Sequence, residues 1–575
     1  MKRIYLILII GMAFMQFGCQ NVLDTKPLDK FTGDQVWSDY PMAEGFVYTM
    51  YANVIGRMYT PWREECLTKN AQNQVWGGSY ISEKTEQIDR TYNAGWGWYD
   101  IIRSCNLAIQ NVTASKFSDK EKNLLLGEAH FLRAMVNFYL VKRFGGIQII
   151  EKVLTPEDNM LIPRASTKES YDFILQDLEF AADKLPGTNN RGRATQGAAY
   201  ALSMRVALQA GAYLNDNSYY QKVINAGDLL FALPYYALEN SYDNLFNKYS
   251  TAVASKENIL VFDRLEVNTT FQDTPMEYLL CNSDNISSKL TAEALKNHPL
   301  VESFEGWCNF APTQDLVDDY LVTDADGVEK PWNQTSYSTN GKNIFEKIFN
   351  HRDARFYASI VYDSCHFFKN TVFTRADGNV SNPSIDGGNA YGTTTGYWYA
   401  KGMYQDKKVW SSDPTPYCYS ILRLGEAYLN YAEAALMLHQ EQKARDFISK
   451  TYQTHGGFKN SITASGDDLW TAYKRERNVE MTLEGDRYWS LLRWGMQKTG
   501  GIVNADYVNN GYVIPELVGK MHAIKIDKNG INYNVVEISE YGQNLNFTPR
   551  RYLFPVPYSQ IQQNSKLTQN AGWEQ

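Results

Sequence analysis

The strongest pattern in the chain is the recurrence of apolar residues at three- and four-residue steps. Behind Ser118-Asp119-Lys120-Glu121 it runs through Leu124, Leu125, Ala129, Leu132, Val136, Tyr139 and Leu140. That spacing lays one apolar stripe along one face of a helix. Ser118 and Glu121 have the spacing of a capping box, in which each side chain satisfies an amide that the first helical turn leaves open. Gly145-Gly146 predicts the stop, because glycine accepts the backbone conformation a helix end requires. A second box, Ser166 to Glu169, opens a helix through Tyr171, Ile174, Leu175, Leu178 and Ala182 that stops near Pro186. Thr195 caps a third, rich in alanine and leucine, reaching Leu214. Small residues on a helix face favour close pairing, so a scaffold of helical hairpins is expected, although no fixed repeat period is legible.

From Tyr242 to Thr415 the pattern changes. Asn, Asp, Gly, Ser and Thr crowd the chain. Asp324-Ala325-Asp326-Gly327 and Asp377-Gly378-Asn379 are turn signals, and residues 382–395 form a long polar stretch. Short strands and loops laid over the helical scaffold are expected here. Helical periodicity resumes over Ile421–His439, Gln442–Tyr452, Asp467–Leu483 and Asp486–Trp494, while Pro555 and Pro557 forbid a long helix in the tail. The expected fold class is mainly α, with a loop-rich, partly β central region. The parts are residues 19–241 (helical), 242–415 (loop-rich insertion) and 416–575 (helical), all within one domain.

The N-terminus stands apart. Lys2 and Arg3 precede a nearly all-apolar run, Ile4 to Phe17, that ends in Gly18-Cys19. This is the layout of a secretory signal over residues 1–18, with Cys19 as the site of lipid attachment. The alternative is an ordinary signal cut nearby, leaving a soluble secreted protein. With a mean hydropathy of −0.43, no later run is expected to cross a bilayer. The net charge of −8 argues against nucleic acid, whose phosphates need a basic face. The six cysteines after Cys19 form no C-x-x-C pair, so a zinc knuckle is not expected and the thiols read as mostly buried and free.

Catalytic chemistry finds little support. Glu476, Glu480 and Glu484 step by four beside Arg475, Arg477, Arg487 and Arg493. A glycosidase needs two carboxyls across a cleft, one of them with a raised pKa. Carboxylates interleaved with arginines are expected instead to be depressed in pKa and to form a buried ion-pair network. The chain has no H-E-x-x-H, no G-x-S-x-G and no Walker loop. Asp324 begins like a calcium loop, but Thr335 occupies the position of the closing glutamate, so a plain turn is expected. No catalytic residue, metal or cofactor is assigned.

The informative residues are aromatic. They make up 14% of the chain, with 40 tyrosines and 13 tryptophans, and some stand in polar, glycine-rich loops rather than apolar stripes. A sugar ring has an apolar face that stacks on an aromatic and an edge of hydroxyls that pair with Asn, Arg or Gln. Asn73, Trp76, Tyr80 and Trp96 supply this mixture. Trp307 with Asn309 offers a second platform, and Arg375 and Tyr391 lie in the central polar loops.

Several stretches carry a resemblance when taken in order. They are Leu23-Asp24-Thr25-Lys26-Pro27-Leu28-Asp29 and Trp37-Ser38-Asp39; Trp98-Tyr99 with Ile102 and Asn106; Glu128-Ala129, Leu132-Arg133-Ala134 and Phe144-Gly145-Gly146-Ile147; and Pro312-Thr313 with Leu316-Val317-Asp318. Arg352-Asp353 with Arg355-Phe356, Arg423-Leu424 with Glu426, and Tyr431-Ala432-Glu433-Ala434 follow. Glu476-Arg477, Glu484-Gly485, Arg487-Tyr488-Trp489 and Arg493-Trp494-Gly495 come next, and Pro555-Val556-Pro557 and Gly572-Trp573 close the series. Together they resemble the SusD/RagB family, glycan-binding lipoproteins of Bacteroidetes outer membranes. The resemblance implies tetratricopeptide-like helical pairs, a loop-rich half carrying an oligosaccharide or polysaccharide site, and an outward-facing, lipid-anchored location. It implies as partner a SusC-like TonB-dependent outer-membrane transporter, over which the protein sits as a lid. Two features depart from the family: Gln148 stands where proline is usual, and Gln20, Asn21 and Val22 lack the acidic cluster that often accompanies surface display. The alternatives are a structural lid with little glycan affinity, a receptor for peptides, and a secreted glycoside hydrolase.

Overall fold

The computed structural model describes residues 33–574 apart from 59–60, 74–77, 289, 340–342, 382–391, 406–409 and 505. Cys19 and the apolar run before it therefore lie outside the described residues. The long helices fall at the two ends of the chain. They are α1 Tyr40–Met58, α2 Tyr99–Ala114, α3 Asp119–Phe144, α4 Thr167–Lys184, α5 Gln196–Leu214, α6 Asn217–Phe231, α7 Leu424–Met437, α8 Glu441–Thr454, α9 Gly466–Glu480 and α10 Arg487–Thr499. Sequential neighbours from α2 to α6 pack on one another, as do α7 and α8. α7 then packs on α6, and α10 on α5, so the C-terminal helices continue the stack that the N-terminal ones begin. This is a mainly α, tetratricopeptide-like scaffold.

Local chemistry sets the helix ends. Both capping boxes form: Ser118 accepts from the Glu121 amide while Glu121 Oε2 accepts from the Ser118 amide, and Ser166 and Glu169 do the same. Thr195 caps α5 by accepting from the Ala198 amide. Gly145 ends α3 at φ 71. At Gly146 a β-carbon would lie 2.0 Å from the Ala165 carbonyl oxygen, so only glycine lets the two chains pass. Gln148 follows, and its Nε2 donates to the Ile162 carbonyl at 2.7 Å, a bond that proline could not make. α3 is long and apolar enough to cross a membrane, yet 78% of its apolar stretch is buried among the other helices. It is the central helix of the scaffold.

The expected helix from Ile421 is a correction. Residues Tyr417–Arg423 form a strand paired with Asn258–Arg264, and α7 starts only at Leu424. Periodicity within Ile421–His439 cannot reveal a partner strand so far away in sequence. The central region holds short helices and two-stranded antiparallel pairs around its own apolar cluster, which includes Phe271, Phe304, Trp398 and Tyr399. Residues 324–327 make the expected turn, and Lys330 Nζ lies 2.6 Å from both Asp324 and Asp326 carboxylates. The six cysteines after Cys19 are free thiols, five of them buried and Cys418 partly so.

Candidate functional site

Two places gather functional-looking side chains, and they differ in access. The first surrounds Arg355 and Arg423. Arg355 donates to Asp353, to Glu476 at 2.6 Å and to Glu480 at 2.8 Å. Arg423 donates to Glu480 at 2.6 Å, to Glu257 at 3.0 Å and to Glu484 at 2.7 Å, and Lys401 Nζ reaches Glu484 at 2.6 Å. None of these side chains is more than 4% exposed. The buried network expected around Glu476, Glu480 and Glu484 exists, but its arginines come from distant segments. Arg477 pairs with Asp486, and Arg493 with Glu433. Burial alone would raise Glu480, yet His455, Arg423 and Arg355 outweigh it and hold the carboxyl well below its usual range. Glu476 corrects the expectation of uniform depression. Burial pushes it up more than Arg355 pulls it down, and Glu480 and Asp353 add repulsion.

Glu257, His455 and Glu480 bring three potential ligand atoms within 4.8 Å of one another. The hydrogen bonding argues for a charge knot rather than a metal centre. His455 Nδ1 lies 2.7 Å from Glu480 Oε1, and Nε2 lies 3.1 Å from both Glu257 Oε2 and the Glu239 carbonyl. Both ring nitrogens face acceptors, an arrangement that suits a doubly protonated ring. Burial opposes that charge, but the two glutamates prevail and raise the imidazole to about 10. A doubly protonated ring has no lone pair for a metal, and the sealed carboxylates offer no face to a substrate.

The second place is open. Residues Ala71–Asn73 pair antiparallel with Phe310–Pro312, and Asn73 stands opposite Phe310. The chain after Asn73 and the chain before Phe310, which holds Trp307 and Asn309, therefore leave the same end of one ribbon. Gln72 Oε1 accepts from Thr394 Oγ1 at 2.6 Å, drawing in the segment that follows Tyr391. Beneath, the buried Lys84–Glu540 pair fastens the ribbon: Lys84 Nζ donates to the Ala71 carbonyl, and Glu540 accepts from the Asn73 amide. Beyond the ribbon, Glu277 links two loops. Its carbonyl accepts from the Trp307 amide at 2.8 Å and its carboxylate from Ser411 Oγ at 3.0 Å. Trp307 is 45% exposed and Trp410 is 39% exposed, and no other tryptophan among the described residues is as open. The Trp307 amide and the Ser411 hydroxyl both bond to the buried Glu277, and the Ser411 amide bonds to Glu305, so the two tryptophans stand on neighbouring loops that form one ledge with Asn309.

The SusD family model matches residues 272–573, more than half the chain. The chain belongs to the SusD family. A second model, described as starch-binding associating with outer membrane, matches residues 43–208. A SusD-like protein of Bacteroides ovatus is 23% identical over 559 residues, covering 93% of this chain and 88% of its own. The crystal structure of a SusD-like protein from Bacteroides fragilis is 27% identical, with a TM-score of 0.76, and the match covers 95% of this chain and all of that one. A SusD-like carbohydrate-binding protein from the same species, 19% identical with a TM-score of 0.71, covers 93% of this chain and all of its own and shares the fold.

Within this SusD-family fold the expected site residues separate into groups. Trp307 and Asn309 lie on the ledge. Asn73 lies at the ribbon end, 4% exposed, with its Nδ2 unpaired. Tyr80 is half-buried, and its hydroxyl accepts from Arg63 at 3.3 Å. Trp76 and Tyr391 lie outside the described residues. Trp96 is a correction: at 2% exposure it packs edge-on against Phe144, with ring centroids 4.9 Å apart, and has no face to offer a sugar. Arg375 is another. Its guanidinium is committed to the buried Asp363, with Nε 3.0 Å from Oδ2, and packs under the turn at Gly530. Trp398 is fully buried, in keeping with a structural role. Sequence reasoning missed Trp410, although Trp410-Ser411-Ser412-Asp413-Pro414 sets a tryptophan among the same turn residues that marked Trp76 and Trp307.

Proposed function

We propose that the protein is a non-enzymatic receptor that captures an oligosaccharide or polysaccharide and hands it to a SusC-like TonB-dependent transporter for import. It acts from the outer membrane, tethered by lipid on Cys19 and facing the cell exterior. The observation that carries this reading is the pair of exposed tryptophans, Trp307 and Trp410, held beside polar groups at a junction of three chain segments. An exposed indole forfeits burial energy unless a ligand covers it. A ledge of stacking faces with carboxylate, amide and hydroxyl partners suits sugar rings. The same fold occurs in a laminarin-binding SusD-like protein, which supports glycan capture as its use. Trp76 and Tyr391 are further candidate contacts on their sequence context alone.

Affinity electrophoresis and calorimetry against a panel of neutral and acidic glycans test the reading. Saturable binding that weakens in Trp307→Ala and Trp410→Ala supports it. Absence of binding to every glycan, alone and with the transporter present, would count for a purely structural lid. Protease access to the protein on intact cells tests its orientation.

A further inference from the structure

A cavity of about 160 Å³ lies inside the helical scaffold, bounded by α1, α3, α5, α7, α9, α10 and the strand Tyr417–Arg423. Part of its lining is apolar, with Ile55, Met135, Phe138, Leu202, Leu208 and Trp489. The rest includes charged groups, and these can be accounted for one by one. Glu64 accepts from Arg143, Glu426 from Arg205, Glu484 from Arg423, and Asp486 from Arg477. Arg493 donates to Glu433. Of the charged residues that line it, Lys142 alone has neither an ion pair nor a hydrogen bond among the described residues. Its ammonium rests 4.3 Å from the centre of the Trp489 ring. Gln209, 3% exposed, lines the same cavity; its Nε2 makes no hydrogen bond of good geometry, although its amide also bears on the Tyr213 hydroxyl.

We propose that this cavity is a binding site for a small amphipathic carboxylate, whose anionic head meets Lys142 and Gln209 and whose apolar body lies along Leu202, Leu208 and Phe138. Water can satisfy the two donors but supplies no counter-charge to keep Lys142 protonated and does not cover the apolar side chains. A sugar would need several uncommitted polar partners, and the cavity's other charged groups are already engaged. Burial holds Lys142 down to about 7, with Glu64 opposing and Arg143 and Arg205 adding to the depression. A bound carboxylate reverses that balance, so above this pH binding draws a proton onto the lysine. The site is separate from the tryptophan ledge and does not depend on its use.

The test is titration calorimetry of the full mature chain with acetate, hexanoate and octanoate, and with 1-octanol as the uncharged comparison. We expect one saturable site per chain for hexanoate and octanoate, with acetate and octanol weaker by about tenfold or more. Lys142→Met removes the charge and keeps the chain length, and should weaken octanoate by about tenfold or more. Leu208→Phe narrows the apolar wall and should shift the preference from octanoate towards hexanoate, a readout independent of Lys142. Buffers of different ionisation enthalpy should reveal proton uptake above pH 7. Absence of saturable binding across the series, or wild-type affinity in a folded Lys142→Met protein, would overturn the proposal.

Discussion

Among the described residues the scaffold's tryptophans pack against its core, Trp37 and Trp470 only partly, whereas the two most exposed stand on loops of the central region. Trp96, Trp98, Trp489, Trp494 and Trp573 are all under 8% exposed and pack between helices or against the C-terminal tail. Trp307 and Trp410 face out, although Trp332 and Trp398 in the same region are buried. The difference lies in who satisfies the backbone. A helix bonds to itself and spends its side chains on packing, so an aromatic on its inner stripe is drawn into the core. In the loops the Trp307 amide bonds to Glu277, the Trp410 amide to Asp413 and Ser411 to Glu277 and Glu305, and both rings stay well exposed. Leaving a large ring in solvent forgoes about 1.5–3 kcal/mol of burial. Such rings are display positions, while the scaffold's arginines and glutamates hold the segments together.

The contrast can be broken most severely at Arg355. Arg355→Met leaves Asp353, Glu476 and Glu480 without their shared cation, and should cost at least about 3–5 kcal/mol in urea unfolding. A loss under about 1 kcal/mol would show that the buried knot is not what joins the regions. Next comes pH. Against the pull of burial, Glu480 and Glu257 push His455 up to about 10 in the folded protein, from 6.5 for the free side chain. Its stabilisation is therefore complete below the lower value and is lost as pH rises through the higher one. Between pH 7 and 9 the contribution should fall by about 2–3 kcal/mol. Lys142 and Lys401, held down to about 7 and about 8 by burial, run the opposite way. The wild-type minus His455→Gln difference in denaturation across that range isolates the histidine, and a flat difference would refute its charge.

Smaller effects sharpen the comparison. Trp307→Ala and Trp410→Ala should each weaken glycan binding by about tenfold while changing stability by less than about 0.5 kcal/mol. A thermal melt beside the binding assay separates the two quantities, and a large drop in melting temperature would place these rings with the core. Ser118→Ala removes the cap of α3 and should cost about 1 kcal/mol in the same melt, with glycan affinity unchanged.

Features written within a few residues are legible in the amino-acid sequence. Both capping boxes, the stop at Gly145, the cap at Thr195 and the turn at residues 324–327 depend on groups at most four positions apart. Ordered motifs spread along the chain are enough to place it in its family. What lies between distant segments is not legible. The strand at Ile421 needs residues 258–264, Trp96 is covered by Phe144, and Arg375 is occupied by Asp363. Trp410 is the exception, since its neighbouring turn residues carry the same signal as those around Trp307.

The amino-acid sequence by itself determined several of the long helices and the caps of three of them, the family and the paired character of the late carboxylates, because capping and periodicity act over one or two turns. Tertiary structure alone decided which polar groups are already engaged and which remain available. Asn70 meets Asn478, Arg355 meets Glu476 and Lys84 meets Glu540 across most of the chain or a large part of it. Burial and partner together set a side chain's charge, and both are supplied by whichever segments the fold brings alongside.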